Sequence, residues 1–304
     1  MSRHLAALVL ILAAATRGTS AAGSSVPAHD HVIVVIMENK SYDAARVQPY
    51  TAALMTAGAS FTNSFAVAHP SQPNYFALWG GNTMVTNDNC PPAGSPYPYA
   101  NLGQACAAAG KTWRAYSENL GAVGGTACSY DGNTSTGLYT RKHDPWVSYN
   151  NVVHTNERPY SDLAADIAAS QLPNLAFVVP NNCHNSHNSS TPGCGVGDAD
   201  TWLSQNLPAM IAAVGPTGLV VLTWDEDDSS SGNHILTVFE GPQVQPGAVS
   251  TRSITHYTVL RTIGDVLGLA PVGAAVSEQP ITDVWLAATP ARHTSWGALK
   301  IRYQ

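Results

Sequence analysis

Long apolar runs, each closed by a polar cluster, organise this chain. "HVIVVIMEN", from His31, is a continuous β-branched stretch, the pattern of a strand buried on both faces. "LAFVVPNN" (from Leu175), "GLVVLTWDEDD" (from Gly218) and "HILTVFEG" (from His234) repeat it. "YTAALMTAGA", "DTWLSQNLPAMIAAVG" and "HYTVLRTIGDVLGL" carry helical spacing. Strands alternating with helices predict an α/β fold, a three-layer α/β/α sandwich around a mostly parallel central sheet. No internal repeat or long linker interrupts it.

The polar clusters matter because of where strands end. Glu38-Asn39, Asn181-Asn182 and Asp225-Glu226-Asp227-Asp228 each follow a buried run. In open α/β sheets, ligands bind outside the carboxyl ends of the strands. Glu38, Asp225 and Glu226 are hard oxygen donors and Asn39 adds a carbonyl oxygen, a set suited to a divalent cation such as Mg²⁺, Ca²⁺ or Mn²⁺. Asp225, first beyond its strand, reads as a ligand, whereas Asp227 and Asp228 read as a solvated loop.

Composition narrows the partners. With 304 residues, 44% hydrophobic and 11% charged, the chain can bury a large core. A net charge of -6 argues against broad binding to nucleic acid or anionic membranes. At the amino terminus, Arg3 and His4 precede "LAALVLILAAA" and the small residues "TSAAG". That run is about 11 residues, too short for a bilayer and suited to a signal peptide. The expectation is therefore a leader over 1–22, one domain over 23–304, a secreted or periplasmic protein and no stable membrane anchor. Five cysteines fit an oxidising compartment. Cys183 with Cys194 is the first expected disulfide. Cys90 with Cys106 is the second, leaving Cys128 over. No C-x-x-C spacing points to zinc.

"VAHPSQPNYFALWGG" holds the candidate nucleophile. Ser71 lies between Pro70 and Pro73, which predicts a rigid loop rather than a regular element. A hydroxyl beside a divalent cation loses its proton more readily and attacks a phosphoryl group. Serine and proline are also ordinary turn residues. Histidines form a second set: His69, His143, His184, His187 and His256. His187 follows one strand and His256 opens a helix near the same sheet edge. Lys142 and His143 in "YTRKHDPW" suit a negatively charged group, or a solvated turn.

"VIVVIMENKSYD", "HPSQPNYFALWGG", "TNDNCP", "YSENL", "YTRKHDPW", "GDADTWLSQNLP", "LTWDEDD" and "THYTVLRTIGDVLGL" occur in that order. Together they resemble the bacterial and fungal acid phosphatase/phospholipase C family of phosphoesterases, in the alkaline phosphatase-like superfamily. The likeness runs from about Asp30 to about Leu269. It implies metal ligation by Glu38, Asn39, Asp225 and Glu226, and a nucleophile at Ser71 that also meets the metal. It implies catalytic roles for His256 and His187, and substrate contacts from Asn74, Lys142 and His143. The implied mechanism is in-line attack by Ser71, a phosphoserine intermediate, then hydrolysis. The superfamily keeps Zn²⁺ open as the cofactor. One segment departs: where the family commonly reads Asn-Asp-Met-His-Asp, this chain has "HNSHN", with Asn185 and Asn188 in place of acids, which favours one metal over two.

A small phosphate monoester is the expected substrate, since the loops are polar and rich in Asn and Gly. Three alternatives compete: a phosphodiesterase or phospholipase C of the same fold, a metal-free serine hydrolase using Ser71, His256 and an acid, and a non-catalytic binding protein. The elbow G-x-S-x-G of many serine hydrolases is absent. Chelator sensitivity separates the metal and metal-free readings.

Overall fold

A computed structural model describes residues 26–287. The expected leader, and the end of the chain beyond 287, lie outside the described residues. The strands are β1 (His31–Met37), β2 (Ala59–Phe61), β3 (Ser64–Phe65), β4 (Trp113–Ser117), β5 (Glu157–Pro159), β6 (Leu175–Val179), β7 (Gly218–Trp224), β8 (His234–Ile235), β9 (Thr237–Glu240), β10 (Ala248–Ser250) and β11 (Ile254–Thr255). The helices are α1 (Tyr42–Arg46), α2 (Pro49–Ala57), α3 (Ser71–Gly80), α4 (Leu102–Ala108), α5 (Ser161–Ala168), α6 (Val196–Ala213) and α7 (His256–Leu267).

Eight strands form the main sheet in the order β10-β2-β9-β7-β1-β6-β4-β5. β1 pairs in parallel with β6 and β7 at its centre. Only β9 runs against the rest, antiparallel to both neighbours. The expected fourth strand, "HILTVFEG", is therefore two elements. β8 joins β3 and β11 in a small second sheet, and β9 turns back into the main one. Antiparallel pairing accounts for this, because the short β7–β9 connection leaves no room for a crossover helix.

The alternation of β1 divides the core into two layers. Val32, Val34 and Ile36 pack with Tyr75 and Trp79 of α3 and Val259 and Ile263 of α7. Ile33, Val35 and Met37 face Leu54, Leu163, Leu203 and Leu207 on the opposite side. Burying each such side chain contributes roughly 1.5–3 kcal/mol, so the most continuous apolar run occupies the doubly covered centre. The α/β/α sandwich is as expected.

Two disulfides form: Cys183–Cys194, as expected, and Cys90–Cys128. The second corrects the expected Cys90–Cys106 pair. Cys106 is free because it sits on the buried face of α4, with Leu102 and Ala105. Among the described residues, no helix is long and apolar enough to cross a membrane.

Candidate active site

The carboxyl end of β1 delivers Glu38 into the interior, fully buried. The chain then turns at Asn39, which has φ of 45°, a conformation asparagine tolerates better than most residues. That turn folds Asn39 toward the end of β7. Its backbone N–H donates to Asp225 Oδ1 (3.1 Å) and its side-chain amide to Glu226 Oε1 (2.9 Å). Glu38, Asn39, Asp225 and Glu226 thus converge at the parallel-sheet edge, as the strand-end pattern predicts.

Ser71 joins them from an unexpected element. It is the first residue of α3, not part of a loop, and it is buried. Pro70 is the N-cap and Pro73 lies in the first turn, where its missing N–H would be unsatisfied in any case. The two prolines start a helix here rather than prevent one. Ser71 Oγ lies within donating distance of Glu38 Oε2 (3.0 Å) and Glu226 Oε1 (2.8 Å). Its partners are carboxylates, so the serine–histidine contact that a metal-free triad needs is not formed.

Four negative-capable or amide groups around one hydroxyl set the electrostatics. Burial pushes the Glu38 carboxyl up to about 7, against the opposing pull of Lys142 and of the Tyr75 hydroxyl that donates to it. Burial and then the charges of Glu38 and Glu226 hold Asp225 well above the carboxylate range. Burial also raises Glu226. Asp225 Oδ2 and Asn39 Oδ1 are buried with no hydrogen-bond partner. Clustered acids with orphaned oxygens match the donor set of a hard divalent cation.

Glu38, His143 and His187 offer a second possible metal-binding group, with ligand atoms within 4.8 Å of one another. Lys142 argues against a cation there. Its buried ammonium lies 2.8 Å from Asp88 Oδ2 and 3.2 Å from His187 Nε2. Burial opposes that charge, but Glu38 and Asp88 raise the Lys142 pKa above its ordinary value. His187 Nδ1 faces Asn188 Oδ1 (3.0 Å), the arrangement of a neutral ring donating there and accepting from Lys142. Burial, Lys142 and His187 keep His143 neutral, stacked on Tyr75 with its Nε2 3.1 Å from Glu38 Oε1. This side of the site carries the Lys142 ammonium and suits an anion. The carboxylate side suits the cation.

Other expected residues lie elsewhere in the network. Asn74 is fully buried and commits its amide to the preceding loop. It accepts from the N–H groups of Val67 (3.0 Å) and Ala68 (3.1 Å) and donates to Ala68 O (2.9 Å). His256 opens α7, capped by Thr255, and its Nε2 meets the backbone carbonyl of Asp225 at 2.6 Å rather than Ser71. Burial lowers its pKa to about 4. Asp227 corrects the solvated-loop reading. It is buried and accepts from the N–H groups of Ser229 (2.8 Å), Ser231 (2.6 Å) and Asn233 (3.1 Å). Asp228 is exposed, as expected. His69 bridges Glu226 and Asp227 at the mouth of the site.

Tyr75 and Asp88 are site residues that sequence reasoning missed. Tyr75 lies four residues after Ser71, one turn along the same helical face, a signal hidden by reading Ser71 as a loop residue. Asp88 sits in the quoted "TNDNCP", where nothing local marks it as the partner of Lys142.

Beneath the turn that bears Lys142 and His143 lies a buried acid pair. Asp144 Oδ1 accepts from Ser117 Oγ (2.8 Å), and Glu157 Oε1 accepts from the Tyr139 hydroxyl (3.3 Å). Burial raises Asp144 from 3.8 to about 6, and burial with the charge of Asp144 raises Glu157 further. The folded protein holds these protons more tightly than the unfolded chain. Their stabilising contribution is therefore complete below about pH 4 and lost as pH rises through 6 and beyond. The melting temperature is expected to fall between about pH 5 and 8, with a shallower slope in Glu157→Gln. A flat wild-type profile would contradict this.

Comparison with known proteins agrees with the geometry. A model of the Phosphoesterase family matches residues 44–270. A phosphatidylinositol-3-phosphatase of Mycobacterium tuberculosis is 40% identical over 269 residues, 87% of this chain and 85% of that protein. An acid phosphatase of Aspergillus fumigatus is 29% identical over 250 residues, 79% of this chain but 55% of the fungal protein, so the chain spans about half its length. A solved protein of the alkaline phosphatase superfamily from Vibrio parahaemolyticus shares the fold, with a TM-score of 0.59 at 14% identity over 85% of this chain and 72% of that one. The lipoteichoic acid synthase LtaP of Listeria monocytogenes has a TM-score of 0.57 at 9% identity, over 86% and 77%. With residues 44–270 matched by the family model and an alkaline phosphatase-like fold, the chain belongs to the Phosphoesterase family and is a phosphoric ester hydrolase.

Proposed function

We propose that this protein is an exported, metal-dependent phosphatase that hydrolyses phosphate monoesters through a phosphoserine on Ser71. The observation that carries the reading is the Ser71 hydroxyl, buried between Glu38 and Glu226, with the charge of Lys142 acting on that same Glu38. Glu38, Asn39, Asp225, Glu226 and Ser71 Oγ would hold the divalent ion. Once bound, it lowers the hydroxyl pKa and screens phosphoryl charge.

The chain's own residues do the rest. Ser71 Oγ passes its proton to a carboxylate it already faces and attacks phosphorus. The P–O bond to the leaving group breaks, with the electron pair leaving on that oxygen, which takes a proton from solvent. Water then attacks the phosphoserine, the P–O bond to Ser71 breaks, the protonated carboxylate returns its proton to Ser71 Oγ, and phosphate leaves. Lys142 draws the phosphate oxygens in, held in place by Asp88 and His187. His143 and Tyr75 orient Glu38. Asn74 supports the loop entering α3, and His256 fixes the Asp225 backbone, so both position the site in this reading. Asn185 and Asn188 add no negative charge to the His187 segment, which favours a single ion. The two disulfides and the apolar amino-terminal run support export.

The test is hydrolysis of p-nitrophenyl phosphate by the mature protein. EDTA is expected to remove activity, and one of Mg²⁺, Ca²⁺, Mn²⁺ or Zn²⁺ to restore it. Activity that survives exhaustive chelation removes the metal from the mechanism. Faster turnover of bis-p-nitrophenyl phosphate makes the protein a diesterase. A phosphoinositide monoester is a further substrate to try, given the phosphatidylinositol-3-phosphatase relative.

A further inference from the structure

The "YSEN" sequence at the end of β4 takes no part in this chemistry, yet three of its four side chains tie down segments that reach the site. Tyr116 donates to Asp166 of α5 (2.6 Å), and Ser117 to Asp144, the residue after His143 (2.8 Å). Glu118 does more. Its Oε2 accepts from the Asn181 N–H (2.9 Å) and faces His184 Nδ1 (2.7 Å), while its Oε1 accepts from the Trp202 indole of α6 (3.1 Å). Asn119, at φ of 59°, accepts from the Asn181 amide (2.8 Å).

One carboxylate thus gathers three donors from two elements, and hydrogen bonds to an ionised acceptor are the strong ones. The segment it gathers, residues 181–188, contains no helix or strand and is otherwise tied by its own turns and by the Cys183–Cys194 disulfide. It nevertheless wraps the start of the site. Ser186 donates to Glu38 O (2.8 Å), Asn185 O accepts from the Glu38 N–H (2.9 Å), and His187 reaches Lys142. A shift of this segment moves His187 and with it the Lys142 ammonium.

We infer that Glu118 is a positioning residue: by fixing Asn181 and His184 against Trp202, it sets where His187 holds the Lys142 ammonium for phosphate. This rests on the reading of Lys142 as the phosphate-binding cation. Glu118 itself touches no reacting atom. It acts on phosphate affinity, and the transfer step at Ser71 follows its own geometry.

The experiment measures the inhibition constant of inorganic phosphate, kcat, KM and melting temperature for wild type, Lys142→Ala, Glu118→Ala, Glu118→Gln and Asn119→Gly. Lys142→Ala is expected to weaken phosphate inhibition, which tests the underlying reading. Glu118→Ala is expected to raise the phosphate inhibition constant and KM roughly tenfold, as loss of an orienting partner does, with a smaller change in kcat. Glu118→Gln keeps one acceptor oxygen and recovers part of the loss. Asn119→Gly, which retains the backbone conformation, shows a smaller loss of the same kind. If Lys142→Ala leaves phosphate inhibition unchanged, the phosphate reading falls and this inference with it. If Lys142→Ala weakens inhibition but Glu118→Ala does not, only the positioning inference falls, whatever the melting temperature. Should Glu118→Ala not fold, unchanged inhibition in both Glu118→Gln and Asn119→Gly overturns it.

Discussion

Ser71→Ala is expected to lower kcat by about 10⁴-fold or more, the scale seen when a catalytic nucleophile is removed, while the protein stays folded. The side chain is small and sits at the first position of α3, so alanine suits the helix there. What is lost is the hydroxyl between Glu38 and Glu226. Rapid acid quenching during turnover is the direct measurement. The wild type should carry phosphate on the peptide containing Ser71, and the variant should carry none. A phosphoenzyme of normal amount in Ser71→Ala would place the nucleophile elsewhere and end the mechanism proposed here.

Asp225→Asn has the second largest expected effect, and it separates the metal from the nucleophile. The substitution keeps the side-chain shape and an oxygen for the Asn39 N–H. It takes one potential negative charge from a fully buried cluster whose members repel one another. In the absence of metal, the melting temperature should therefore not fall. Wild type should gain stability from the restoring cation, about 2.7 kcal/mol at a hundred times its dissociation constant, and the variant should gain little. Activity should drop by two or more orders of magnitude, as expected when a cation stabilising transition-state charge is lost. Equal metal-induced stabilisation of both proteins would remove Asp225 from the ligand set.

Cleft geometry alone points away from this site. Surface cavities lie elsewhere: one of about 450 Å³ beside Met84, Tyr99 and Tyr149, one of about 310 Å³ between α5 and α6, and one of about 290 Å³ beside Trp113 and Arg114. The charges decide the matter, since none of these cavities gathers buried acids around a hydroxyl.

Much of this arrangement is local and can be read along the chain. An uninterrupted β-branched run such as Val32–Met37 can satisfy its backbone and bury both faces only in the middle of a covered sheet. The residues after such runs must then emerge at one edge. That is why Glu38, Asn39, Asp225 and Glu226 were legible as a group, and why a capped amphipathic helix beginning at His256 was too. Partner choice is not local. Ser71 meets Glu226 across 155 positions of sequence, and Lys142 meets Asp88 across 54. Cys90 pairs with Cys128 because α4 turns Cys106 into the core. Asp227 is buried because a tight loop of N–H groups closes over it, although its neighbour Asp228 has the same charge and stays in water. Periodicity determines which faces must leave water, and so it determined the sheet and the edge where chemistry collects. Only the packed tertiary structure decided which acid finds a hydroxyl, which finds a lysine and which is left with orphaned oxygens, because those choices depend on distances set by elements far apart in the chain.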